Sequence, residues 1–124
     1  MLEKVVSLVR FSFDENPVKS ISGKIRHFYD LFYLLSDEEC KKYVESENFR
    51  EDFVNLIEHD KFIFNDPVGW SQKDFNQSVL ITNFDELWDN LKASYRSELL
   101  QITFGKIPDE KEVRNRVKIL IDRL

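Results

Sequence analysis

The chain reads as all-α, an irregular bundle of about six helices in a single domain spanning residues 1–124. Apolar residues recur at i, i+3 and i+4 through most of the sequence. Its 124 residues include only 3 Gly and 3 Pro, so helix breakers are few. Cap-like residues followed by acids, as in Ser36-Asp37-Glu38-Glu39 and Asp109-Glu110, mark helix starts.

The first helix covers residues 2–13, with Val5, Val6, Leu8, Val9 and Phe13 forming its stripe among Glu3, Lys4, Ser7 and Arg10. Asn16-Pro17 ends it, because the residue before proline avoids the α region. A second helix, capped by Ser20 or Ser22, runs from about Gly23 to Leu35. Ser36 opens a short third helix that ends near Glu47. The fourth covers 49–63 on Phe49, Phe53, Leu56 and Ile57. Asn65-Asp66-Pro67-Val68-Gly69-Trp70 breaks the pattern, and a long aromatic-rich loop near residues 64–82 follows, with Val79-Leu80-Ile81 as a short extended piece. Around it, Phe62, Phe64, Trp70 and Phe75 read first as anchors on the core and second as platforms for a base. Thr82 or Asn83 caps a strong helix through Phe84, Leu87, Trp88, Leu91, Tyr95, Leu99 and Ile102, which Gly105 and Pro108 end. The last helix carries Val113, Val117, Leu120, Ile121 and Leu124.

Composition narrows the class. With 42% hydrophobic residues and 11 Phe, the chain is not intrinsically disordered. A net charge of −5 excludes a whole-surface nucleic-acid binder and leaves room for a local basic site. The lone Cys40 allows no intrachain disulfide and fits a reducing cytoplasm. No apolar run approaches the roughly 18 residues of a membrane span. Met1-Leu2-Glu3-Lys4 is amphipathic rather than a signal peptide. The first helix starts at once, as if the chain began inside a larger fold.

Asp30 is the informative residue. It interrupts the apolar run Ile25, Phe28, Leu31, Phe32, Leu35. A lone buried carboxylate costs several kcal/mol, so it needs a partner. Helical spacing offers Arg26 at i−4, His27 at i−3 and Tyr33 at i+3, with Gly23 leaving room beside the same stripe. Arg26–Asp30 is then either an ordinary surface ion pair or part of a polar site in which a cation meets phosphate oxygens and Asp30 orients it. Lys4, among apolar neighbours, is either a snorkelling surface lysine or a phosphate contact on a helix beside the Asp30 helix. His27 and His59 have no ligand-spaced partner, so no metal site is expected. The P-loop, dinucleotide-binding, nucleophile-elbow, C-x-x-C and D-x-D patterns are all missing from the sequence. Cys40 reads as an inert, partly buried thiol.

Lys4 in Leu2-Glu3-Lys4-Val5-Val6-Ser7-Leu8-Val9-Arg10 and the stretch Lys24-Ile25-Arg26-His27-Phe28-Tyr29-Asp30-Leu31 resemble two motifs of the AbiEii/AbiGii-type nucleotidyltransferase toxin family: a helical lysine, then an Arg-Asp-x-x-Asp-Leu helix. Downstream, His59-Asp60-Lys61, Pro67-Val68-Gly69-Trp70, Phe84-Asp85-Glu86-Leu87-Trp88 and Glu98-Leu99-Leu100 resemble the C-terminal helical part of a branch of that family. The resemblance implies a toxin of a toxin–antitoxin, abortive-infection system that uses an NTP and magnesium, with RNA, tRNA included, as acceptor. It implies catalytic roles for Lys4, on the phosphates, and Asp30, orienting or exchanging a proton, with Arg26, His27 and Tyr33 binding substrate. His27 replaces the first acid of the second motif, whose role is therefore not carried over. The family's N-terminal Gly-Ser turn and D-x-D pair are missing from the sequence, so the resemblance implies no cofactor bound and no transfer by this chain alone. It implies a partner instead: an antitoxin or a separate N-terminal catalytic half.

Two other readings stand beside it. A stand-alone helical interaction module would hide its apolar surface, or cover it as a homodimer, whereas a severed domain would expose an apolar patch near Lys4 and Asp30. An unrelated helical enzyme would need a closed pocket built from Arg26, His27 and Asp30.

Overall fold

The computed structural model describes residues 1–102 and 107–124, without the Ile102 side chain. The helix end expected at Gly105 lies outside the described residues. Eight α-helices are present among the described residues, with no strand: α1 Leu2–Phe11, α2 Pro17–Ser22, α3 Arg26–Leu34, α4 Glu38–Glu45, α5 Glu47–Ile63, α6 Val79–Thr82, α7 Phe84–Ile102 and α8 Glu110–Ile121. The all-α expectation holds. The two helices beyond six are short ones.

α2 is the first of these. Asn16-Pro17 starts a helix rather than merely ending one. The Asn16 side chain accepts from the Lys19 N–H, and Pro17 sits at the first turn, where its missing N–H costs nothing. α1 ends earlier, at Phe11. Neither Ser20 nor Ser22 caps the Asp30 helix, and Gly23 lies in the turn before it, since α3 begins at Arg26. The second addition is α6. Val79-Leu80-Ile81 is a single helical turn, not an extended piece, because the Ser78 hydroxyl accepts from the Leu80 N–H.

α1 is the central helix, packed against α2, α3 and α5. Val5, Val6, Leu8 and Val9 are all buried, which confines its polar groups to one narrow strip. α7 bridges α2, α6 and α8, and α8 closes the bundle on α3. An aromatic ladder crosses the core, with Trp88 5.3 Å from Phe28 and 5.7 Å from Tyr95. Tyr95 donates from its hydroxyl to the Pro108 carbonyl at 2.8 Å, and burial drives its phenol above the ordinary range.

Arginines tie the helix ends together. Arg123 donates to the Val44 and Glu45 carbonyls at 3.2 and 2.5 Å, capping α4. Arg116 lies 4.1 Å over the Phe32 ring and donates to Ser36 Oγ at the end of α3.

The long segment after α5 is anchored rather than loose. Trp70 is buried, and its indole N–H donates to the Phe64 carbonyl at 2.8 Å. Gly69 precedes it at φ 82°, a left-handed conformation that favours glycine. Phe75 packs edge-on against Phe53 at 5.1 Å. Ser78 is fully buried and meets Ser12 Oγ at 2.5 Å, and Ser12 bonds the Val9 carbonyl at 2.5 Å. Of the four expected aromatic anchors, Trp70 and Phe75 pack inward. Phe64 is partly exposed and Phe62 points out.

Candidate functional site

The polar strip of α1 faces α3, and there the expected Arg26–Asp30 pair does not form. Asp30 is paired instead with Lys4, whose Nζ donates to Oδ2 at 2.9 Å. Both side chains retain 33% exposure, so the pair is half-buried and partly solvated. Arg26 makes no ion pair with Asp30; it is the exposed first residue of α3, while Asp30 faces α1. Tertiary approach of a longer-range cation displaces the i, i+4 partner that spacing supplied.

Lys4 and Asp30 open on a shallow groove of about 650 Å³. Tyr29, Tyr33 and Leu34 of α3 form one wall, and Asp37 and Cys40 at the start of α4 form the other. Tyr33 is 49% exposed, with its ring edge-on to Tyr29 at 4.9 Å. The Asp37 carboxylate caps α4 through the Cys40 N–H at 3.1 Å. Burial, then Asp37, pushes the Cys40 thiol up, so it stays protonated near neutral pH.

His27 does not line the groove. Burial pushes its imidazole down, Lys4 and Lys24 push it further, and Asp30 opposes them. Two lysines and one carboxylate therefore act on the same histidine, and one of those lysines, Lys4, is itself paired with the carboxylate.

Of the five residues singled out in the sequence, Lys4, Asp30 and Tyr33 share the groove, His27 lies beside it, and Arg26 stands apart from Asp30. Tyr29, Asp37 and Lys24 were missed. Tyr29 was detectable from its i, i+4 relation to Tyr33. Asp37 reads in the sequence as an acid behind a Ser36 cap, whereas it is itself the α4 cap, and its place on the groove wall depends on how α3 turns into α4.

The groove is open, so a closed pocket built from Arg26, His27 and Asp30 is not what these residues form. Among the described residues, no group of three or more His, Cys, Asp or Glu side chains is placed to hold a metal ion. No described helix is long and apolar enough to cross a membrane. Tyr33 is the exposed large apolar side chain bordering the groove; Phe62, Ile63, Phe64 and Val68 are exposed elsewhere. No protein-family model, curated protein or solved structure matches the chain.

Proposed function

We propose that the chain is the C-terminal helical portion of a cytoplasmic nucleotidyltransferase-type toxin, in which the Lys4–Asp30 groove is its share of an NTP and RNA site. The observation that carries this reading is the meeting of Lys4 and Asp30 at 2.9 Å across 26 residues of sequence. The two motifs on which the resemblance rests thereby sit on one surface.

In the proposed role, Lys4 turns from Asp30 to phosphate oxygens, and Asp30 orients the incoming group. Lys24 adds positive potential, and Tyr33 presents a half-exposed ring to a nucleotide. Bound magnesium would neutralise triphosphate charge, and the proposal assigns its ligands to a separate catalytic half. The chain alone is therefore proposed to be inactive.

The test is to sequence the source locus upstream of the Met1 codon, in all frames. The expected result is a Gly-Ser turn followed by D-x-D. Reuniting both halves should then transfer labelled nucleotide to RNA, and Lys4→Ala or Asp30→Ala should cut the rate by about a hundredfold or more. Absence of that segment, or transfer that ignores both substitutions, would sink the reading. A second reading, a helical module that binds an antitoxin or another protein without catalysis, is favoured by the groove rim: among the described residues Tyr33 is the one exposed large apolar side chain there, short of the apolar patch a severed domain would bare near Lys4 and Asp30.

A further inference from the structure

The corner between α3 and α4 is held from outside the groove. The last four carbonyls of α3 need donors beyond the helix. Three of them take backbone N–H groups: Leu31 from Leu35 at 2.9 Å, Tyr33 from Ser36 at 3.1 Å and Leu34 from Asp37 at 3.1 Å. The bonds from Ser36 and Asp37 run i→i+3 rather than i→i+4, so the chain tightens there into a turn. Ser36 thereby gives its N–H to Tyr33 instead of Phe32. Among the described residues, the Phe32 carbonyl takes side-chain donors alone: the Ser36 hydroxyl at 3.1 Å and, more weakly, the Arg116 guanidinium at 3.4 Å.

Arg116 comes from α8, which packs on α3. The same Nη1 also donates to Ser36 Oγ, and the guanidinium lies 4.1 Å over the Phe32 ring. Arg116 does not line the Lys4–Asp30 groove; it lines a different cleft, of about 370 Å³, with Leu35, Lys41 and Val44. Its grip nevertheless reaches both groove walls. Phe32 is edge-on to Tyr33 at 5.4 Å, and Tyr33 is edge-on to Tyr29 at 4.9 Å. Ser36 is followed directly by Asp37, whose carboxylate holds the Cys40 N–H at 3.1 Å.

We propose that Arg116 is a positioning residue for the Lys4–Asp30 groove. By holding Ser36 Oγ and the Phe32 carbonyl, it keeps the corner in its tight turn and so sets Tyr33 on one wall against Asp37 and Cys40 on the other. Without the guanidinium, the Phe32 carbonyl keeps one donor and the Ser36 N–H is free to return to it, as a continuing α-helix requires. That change lengthens α3 and carries Asp37 around its axis, away from its present place on the wall. The buried residues Phe28 and Leu31 anchor the body of α3 in the core, but they lie upstream of the corner. The inference deepens the reading of this groove as a substrate site and rests on that reading.

The test reads the corner through Cys40, the one cysteine of the chain, which lines the groove. Iodoacetamide alkylation of the folded chain, followed against pH, gives the titration midpoint of the thiol. Burial and then Asp37 hold that midpoint high, so a corner that opens lowers it. Arg116→Met, which keeps the stem over Phe32, should lower the midpoint and raise the alkylation rate near neutral pH at least about threefold. Ser36→Ala should do the same, and the two together no more than either alone, since the effect passes through one contact. Arg114→Met, on the same helix but paired with Asp85 of α7, should leave the midpoint where it is. Urea unfolding will confirm that each variant is folded. An unmoved midpoint in Arg116→Met, an equal shift in Arg114→Met, or additive shifts in the double variant overturns the proposal. With the two proposed halves reunited, Arg116→Met should raise the nucleotide KM at least about threefold and leave kcat within about twofold; an unchanged KM also overturns it. A wild-type pair that transfers nothing fails the reading of the groove as a substrate site, while the alkylation midpoint still decides whether Arg116 sets the corner.

Discussion

The Lys4–Asp30 contact makes a measurable claim against Arg26–Asp30. Fully exposed ion pairs contribute about 0.2–1 kcal/mol. Removing one partner of a fully buried pair costs about 3–5 kcal/mol. Here each side chain keeps 33% exposure and the N–O distance is 2.9 Å. The coupling energy should therefore lie near the low end of the interval, at about 1–1.5 kcal/mol. Lys4→Met keeps most of the aliphatic stem, and Asp30→Asn keeps the shape, so the cycle isolates charge.

Urea unfolding of the wild type, both single variants and the double variant gives that coupling, provided the transition is two-state. A parallel cycle pairs Arg26→Gln with Asp30→Asn, and should give less than about 0.3 kcal/mol. About 1 M salt should shrink the first coupling, because the pair is partly solvated. The reasoning is refuted if Lys4 and Asp30 couple by less than about 0.3 kcal/mol, or if Arg26 couples to Asp30 more strongly than Lys4 does.

Four further outcomes are expected. His27 has its pKa lowered from 6.5 by burial, Lys4 and Lys24, so in the window just below 6.5 the unfolded chain binds a proton that the folded chain refuses. Its stability contribution is complete above that value and is lost as pH falls through the lower folded pKa; His27→Gln should flatten the fall in urea midpoint between about pH 7 and about pH 5, and an unchanged slope would refute the assignment. Ser78→Ala should cost about 1–3 kcal/mol, because it strands the Leu80 N–H and removes a donor to buried Ser12; thermal unfolding measures it. Asp37→Ala should cost about 0.5–2 kcal/mol through loss of the α4 cap, read by urea unfolding. Lys4→Met and Val68→Ser should be additive in stability within about 0.5 kcal/mol, since their side chains lie on separate surfaces.

The long helices were legible because each buries a stripe that spacing reveals. Phe49, Phe53 and Ile57 on α5, and Leu87, Trp88, Leu91 and Tyr95 on α7, are all buried as their periodicity predicts. α2 and α6, of 6 and 4 residues, are too short for periodicity to speak. They declare themselves through capping chemistry at Asn16, which beside Pro17 reads as a helix end, and at Ser78, which no spacing singles out. For Asp30, the need for a partner was visible in residue types. The choice of Lys4 was not, because it depends on how α1 crosses α3. Phe62 misled for a related reason: an aromatic residue at the end of a helix looks the same whether it turns inward like Trp70 or outward.

Ligand binding at the Lys4–Asp30 groove would cost it an existing contact. Lys4 already holds a carboxylate at 2.9 Å, so a phosphate must compete with Asp30 for the same ammonium. The groove alone should therefore bind free nucleotide weakly, and the catalytic reading needs a second protein segment to redirect Lys4.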